Sequence, residues 1–94
     1  MKIFVVATRS GDPDEIAKFL EPEAKMALQM VADDFVREIY SRKDGKGAVV
    51  VVEAESLEAA QAELGKLPLV AAKLLELEFY PVGAYRAITA MANA

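Results

Sequence analysis

The chain has 94 residues, 11 Lys plus Arg against 15 Asp plus Glu, and a formal net charge of −4. Its length fits one small domain, and an apolar content of 54% excludes a disordered segment. It has no His, Cys or Trp, which excludes a disulfide framework, a thiolate nucleophile, a sulfur- or imidazole-ligated metal and a Ser-His-Asp triad.

Lys2–Thr8 is a β-branched and aromatic run and predicts a strand. Asp12 and Pro13 then fit the N-cap and first position of a helix, and Glu15 stands where a capping box needs it. Ile16, Phe19 and Leu20 share one face of that helix. Pro22 predicts a break near Leu20–Glu21. A second helical stretch, from about Pro22 to Ala32, has its apolar face at Ala24, Ala27, Leu28 and Val31, with Met26 and Met30 on a flanking face.

Phe35–Ser41 reads as the second strand, and Lys43-Asp44-Gly45-Lys46-Gly47 as a hairpin turn. Ala48–Ala54, mostly Val, is the third strand. Ser56 caps a helix with Leu57, Ala60, Leu64 and Leu67 on one side, which ends at Gly65 or Pro68. Leu69–Lys73 reads as a turn and Leu74–Tyr80 as a fourth strand closed by Pro81. Val82–Ile88 reads as a further extended piece. Residues 1–88 are then a single domain, and residues 89–94 a frayed tail.

The order βαββαβ predicts an α+β, ferredoxin-like fold: a four-stranded antiparallel sheet with two helices on one face. The first and third strands are apolar on both sides, Ile3 and Val5 opposite Phe4 and Val6, Val50 and Val52 opposite Val49 and Val51. Strands of that kind need cover on both sides, and a second copy of the sheet across a two-fold axis supplies it. A homodimer is therefore expected, with edge strands short enough to pair into higher oligomers. The acidic balance, and a third strand without stacking aromatics, exclude nucleic-acid binding. Val49–Val52, like every other apolar run in the chain, is too short to span a membrane. Without a signal-peptide pattern the expected compartment is the cytoplasm.

Several stretches resemble the muconolactone isomerase-like family. They are Phe35-Val36-Arg37-Glu38-Ile39-Tyr40-Ser41-Arg42-Lys43-Asp44, then Gly47-Ala48-Val49 and Val52-Glu53, Ser56-Leu57-Glu58-Ala59-Ala60, Leu67-Pro68-Leu69-Val70, and Phe79-Tyr80-Pro81-Val82-Gly83-Ala84-Tyr85. The resemblance covers about residues 2 to 86. Its most specific parts are the Leu-Pro-Leu step and the Val-Arg-Glu-x-Tyr strand. It implies a dimeric α+β barrel in which two sheets face each other around a central cavity. Histidines occur in that family's active-site region and are absent here, and Lys73 stands where relatives often have Gly.

Proton transfer on a cyclic or aromatic carbonyl compound, without metal or cofactor, is the activity expected of such a chain. A non-catalytic dimer that binds a small hydrophobic ligand, or is purely structural, is the alternative. Glu38 and Tyr40 share one side of the second strand and Arg37 the other; a carboxylate base and a phenol donor suit proton transfer beside a carbonyl. The bland reading is an edge strand guarded by charges. Glu53, at the end of the Val strand, is expected to have a raised pKa if buried, or else to reach solvent or pair with Arg37 across the sheet. Glu53, Glu38 and Tyr40 are thus the catalytic candidates. Arg37, Arg9 and Tyr80 are the substrate-binding candidates, Arg9 either as an anchor for an anionic group at a cavity mouth or as solvated surface. Glu23, after the helix break, either lines a cavity entrance or is first-turn helix chemistry. Met26 and Met30 line a pocket or pack a core.

Overall fold

A computed structural model describes residues 1–93. The elements are β1 (Lys2–Arg9), α1 (Pro13–Ala17), α2 (Leu20–Ala32), β2 (Val36–Ser41), β3 (Gly47–Glu53), α3 (Leu57–Leu64), α4 (Pro68–Ala71), β4 (Leu75–Val82) and α5 (Arg86–Ala92). The four strands form one antiparallel sheet in the order β2-β3-β1-β4. This is the ferredoxin-like α+β arrangement expected from the sequence.

Register assigns the two faces of the sheet. Ile3 pairs with Val52 and Val5 with Val50. These four join Met30, Val36, Ala60, Leu64 and Leu67 in a buried core under the helices. Phe4 pairs with Val51 and Val6 with Val49 on the opposite face, which no helix of the core covers.

The expected elements are corrected in four places. The helix break lies at Lys18–Phe19, not Leu20–Glu21, and Pro22 sits in the first turn of α2. A proline ring collides with the carbonyl four residues back, here that of Lys18, so the chain breaks there. At its new position Pro22 is one of the first-turn residues whose N–H would be unbonded anyway.

The inward face of α2 is only partly the one expected: Ala24 and Ala27 turn toward the sheet, but the core contacts come from elsewhere on the helix. Met30 is buried and Met26 packs on the core, whereas Leu28 and Val31 are 68% and 41% exposed. Leu69–Lys73 is largely α4, and β4 continues through Pro81, which pairs with Ile3; an edge strand tolerates proline. The extended piece expected over Val82–Ile88 is replaced from Arg86 by α5. Of the tail expected to fray, Thr89–Ala92 belongs to this helix, and Ala94 lies outside the described residues.

Candidate active site between the sheet and α2

α2 packs against β2 and α4 and leaves space between its first half and the sheet. The cavity there has a volume of ≈ 340 Å³. Val5, Ala7, Val50 and Leu77 form its floor, Leu20, Ala24 and Ala27 its roof, and Leu67 and Leu69 one wall. Arg9, Glu23 and Ser41 are the polar side chains that reach it. Its size and mostly apolar lining suit a small ring compound held by a few placed polar groups.

Each polar group arrives for a local reason. Arg9 is the last residue of β1, two positions beyond Ala7, and so points to the helix side of the sheet. Its Nη2 donates to the Gly45 carbonyl in the hairpin turn, and no carboxylate among the described residues pairs with it. Arg9 and Leu20 also border a second cavity of ≈ 420 Å³, lined further by Gly11, Pro13 and Lys46.

Glu23 lies one helical turn before Met26 and Ala27 on the inward side of α2. Its Oε1 accepts from the Leu69 N–H at 2.9 Å and so serves the start of α4, whose cap residue Leu67 has no side-chain acceptor. Burial pushes the Glu23 carboxyl above its ordinary range, and the Leu69 hydrogen bond opposes this only in part. Ser41, the last residue of β2, pairs with Ala48.

Gly47 brings β3 close against β1 at the cavity edge. A Cβ there would lie 2.0 Å from the Ala7 carbonyl oxygen. Beside it Arg42 clips the strand ends, donating to Thr8 Oγ1 at 2.7 Å and pairing with Asp44 at 2.6 Å.

Of the six residues singled out in the sequence, this cavity contains Arg9. Glu38 and Tyr40 do share one side of β2, and the Tyr40 hydroxyl donates to Glu38 Oε1 at 2.7 Å. That side is the helix-free face: Glu38 pairs with Val51 and Tyr40 with Val49. Tyr80 pairs with Phe4 on the same face and donates to Glu78 Oε2 at 2.8 Å. These bonds to carboxylates raise both phenol pKa values.

Arg37 occupies a bulge between Val36 and Glu38 and bonds back to Asp34, through its carbonyl at 2.7 Å and its carboxylate at 3.4 Å. Glu53 holds the N-terminal ammonium at 3.0 Å. That bond lowers the Glu53 pKa, with smaller help from Arg37 and Lys2, so the raised value expected for a buried carboxylate is corrected: Glu53 is half exposed and paired. The carboxylate with the raised pKa is Glu23. The sequence signal for it was Pro22, which moves the helix start and thereby turns position 23 inward.

Among the described residues no three carboxylates gather into a metal site, and no helix is long and apolar enough to cross a membrane.

The architecture has counterparts among solved structures. Muconolactone isomerase superimposes with a TM-score of 0.76 at 19% identity, over 90% of this chain and 91% of that one. The chain has the fold of muconolactone isomerase. 5-Chloro-2-hydroxyhydroquinone dehydrochlorinase from Burkholderia phenoliruptrix AC1100, in complex with 2,5-dihydroxybenzoquinone, matches with a TM-score of 0.65 at 14% identity, over 93% of this chain and 98% of that one. A protein described as an antibiotic biosynthesis monooxygenase from Deinococcus radiodurans matches with a TM-score of 0.52 at 17% identity, over 90% and 95%. No family profile and no curated protein sequence matches the chain. At these identities the likeness is one of fold; the structures sharing it include enzymes of small molecules.

Proposed function

We propose that the chain is a small-molecule enzyme that moves a proton on a cyclic or aromatic carbonyl compound bound between the sheet and α2. The observation that carries this reading is a carboxylate with a raised pKa, Glu23, in the same apolar cavity as Arg9. Partial desolvation makes the Glu23 carboxylate a stronger base than one in water. It takes a proton from the carbon next to the substrate carbonyl, and the electron pair left behind moves onto the carbonyl oxygen. Arg9 stabilises that oxygen by a charge-assisted hydrogen bond. The protonated Glu23 then returns the proton to another carbon of the conjugated system, so the net change is an isomerisation without loss of atoms. Ser41 orients the ring. The bound quinone of the dehydrochlorinase complex supports a ligand of this chemical class.

The same reading includes a homodimer built on the helix-free face of the sheet. Phe4, Val6, Val49 and Val51 give that face an apolar centre, and the Glu38–Tyr40 and Glu78–Tyr80 pairs flank it. Glu38, Tyr40 and Tyr80 thereby become interface residues. A specific observation also favours the non-catalytic alternative: Glu23 already serves a structural bond at Leu69.

Two measurements separate these readings. Titration with 2,5-dihydroxybenzoquinone is expected to shift the amide resonances of Ser41, Gly47 and Leu69; shifts restricted to Phe4, Val49 and Tyr80 would place the ligand elsewhere. With muconolactone in heavy water, deuterium incorporation is expected to fall by about 10²–10⁴-fold in Glu23→Gln, the usual contribution of a positioned base. Equal incorporation in the two proteins would remove Glu23 from the chemistry.

A further inference from the structure

Besides the helix-free face of the sheet, two apolar surfaces have no partner among the described residues. The first is the outer stripe of α2, where Leu20, Ala24, Leu28 and Val31 recur at helical spacing and are all exposed. Leu20 and Ala24 also line the cavity. With Ile39 of β2, 47% exposed, this stripe borders the cavity's open side. The second surface is α5 and the residue before it. Tyr85, Ile88 and Met91 recur every third position and are 72%, 65% and 79% exposed. Arg86 is the sole charge between residues 83 and 93.

A seven-residue helix is far shorter than the ~12–15 residues at which an isolated helix becomes marginal in water. It persists only against a surface, and its own chain does not offer one: every residue from 81 to 93 is exposed. The radius of gyration is 15.2 Å, where a compact chain of this length has roughly 12 Å, and the longest extent is 56 Å. α5 leaves from the β4 edge. α2 packs against β2, three strands away, with α4 between β4 and α2.

A second copy brings the two surfaces together. This step rests on the homodimer proposed above. A two-fold axis between the helix-free faces, parallel to the strands, sets β4 of one copy beside β2 of the other, because these are the two edges of the sheet. The strands meet antiparallel there. Val82, paired with Lys2, comes level to within about one residue with Val36 of the other copy, which stands opposite Val52 and Ile3. Residues 83–85 span up to about 10 Å when extended, and α5 adds about 10 Å. That length crosses the ~10 Å between packed layers and then runs along α2 from Val31 toward Ala24.

We propose that α5 of each copy lies along the Val31, Leu28 and Ala24 part of the outer stripe on the other copy's α2, closing that copy's cavity on its exposed side. The occupant of both unpartnered surfaces is then the chain itself, and each binding cavity is completed in trans.

The chain has no cysteine, so single substitutions report single contacts. Val31→Cys and Ile88→Cys chains are mixed, unfolded, refolded together and oxidised mildly. The expected product is a covalent pair with one of each chain, in at least tenfold excess over the pair from Glu58→Cys with Ile88→Cys. The double variant V31C/I88C is expected to give a linked dimer. Light scattering of the unsubstituted chain separates the two levels of the proposal. A dimer without the 31–88 link, or a double variant linked within one chain, overturns the docking of α5 and leaves the dimer standing. A monomer overturns both.

Discussion

Three residues sit where their side chains meet the strongest local constraint. Glu23 is held in a mostly apolar cavity by one backbone hydrogen bond, and burial raises its pKa above the usual 4.5. The folded chain therefore binds this proton more tightly than the unfolded chain. Stability falls as pH rises from the unfolded value through the raised folded one. Glu23→Gln keeps an oxygen acceptor for Leu69 and has no such proton. Denaturant melts across about pH 4–7 are expected to show the parent losing stability relative to E23Q as pH rises; parallel curves would mean that Glu23 is solvated. Gly47 faces the Ala7 carbonyl so closely that Gly47→Ala must push β1 and β3 apart. A loss of roughly 3 kcal/mol is expected, read as a lower denaturation midpoint. Lys73 has φ 62, the left-handed region that disfavours a Cβ by about 1–2 kcal/mol. Lys73→Gly removes that strain and adds backbone entropy to the unfolded chain, for a net gain of about 0.5 kcal/mol.

At the level of elements, caps explain several helix boundaries. Ser56 accepts from the Ala59 N–H at 3.0 Å and starts α3. Ser56→Ala is expected to cost about 1 kcal/mol, measurable by urea denaturation, and a cost near zero would show that α3 is held by packing alone. α2 and α4 share one kind of ending. In α2 the Phe35 N–H bonds Met30 and the Asp34 N–H bonds Val31; in α4 Leu74 bonds Leu69 and Lys73 bonds Val70. Both are Schellman endings with Asp34 or Lys73, rather than glycine, at the left-handed position. That is why α4 was not legible in the sequence: its stop lacks the glycine that marks one, and its start lacks a side-chain cap. The strands were legible because Val, Ile and Phe alternate through Gly- and Pro-marked turns. The bulge at Arg37 was not, since nothing in a strand's composition says where one residue is left unpaired.

For the whole molecule the sheet is the organising fact. One face packs on the helices, and the other presents Phe4, Val6 and Val49 with only partial cover. The proposed dimer closes that face. Phe4→Lys together with Val49→Asp is expected to shift the solution mass from dimer to monomer and leave the core on the helix side intact. A double variant of unchanged mass would place the interface elsewhere. Arg9 shows how little of the site a strand end reveals: its position allowed both an anchor at a cavity mouth and a solvated surface role, and only the folded strand turns it toward the cavity. Glu23 was legible only as one of two readings, cavity entrance or first-turn helix chemistry, because the choice depends on which way α2 is rotated.

The sequence by itself determined the order of the four strands and of the helices α2 and α3 that cross over between them, the antiparallel sheet, the excess of apolar strand surface and the absence of imidazole and thiol chemistry. Each follows from residue types and their spacing along the chain. Only the tertiary structure decided which face of α2 turns inward. Ala24, Leu28 and Val31 form as good a stripe as Met26 and Met30, and periodicity cannot rank two apolar faces of one helix. Contact with the sheet ranks them, and the same contact fixes Glu23 in the cavity. It also assigns Glu38, Tyr40 and Tyr80 to the face without helices.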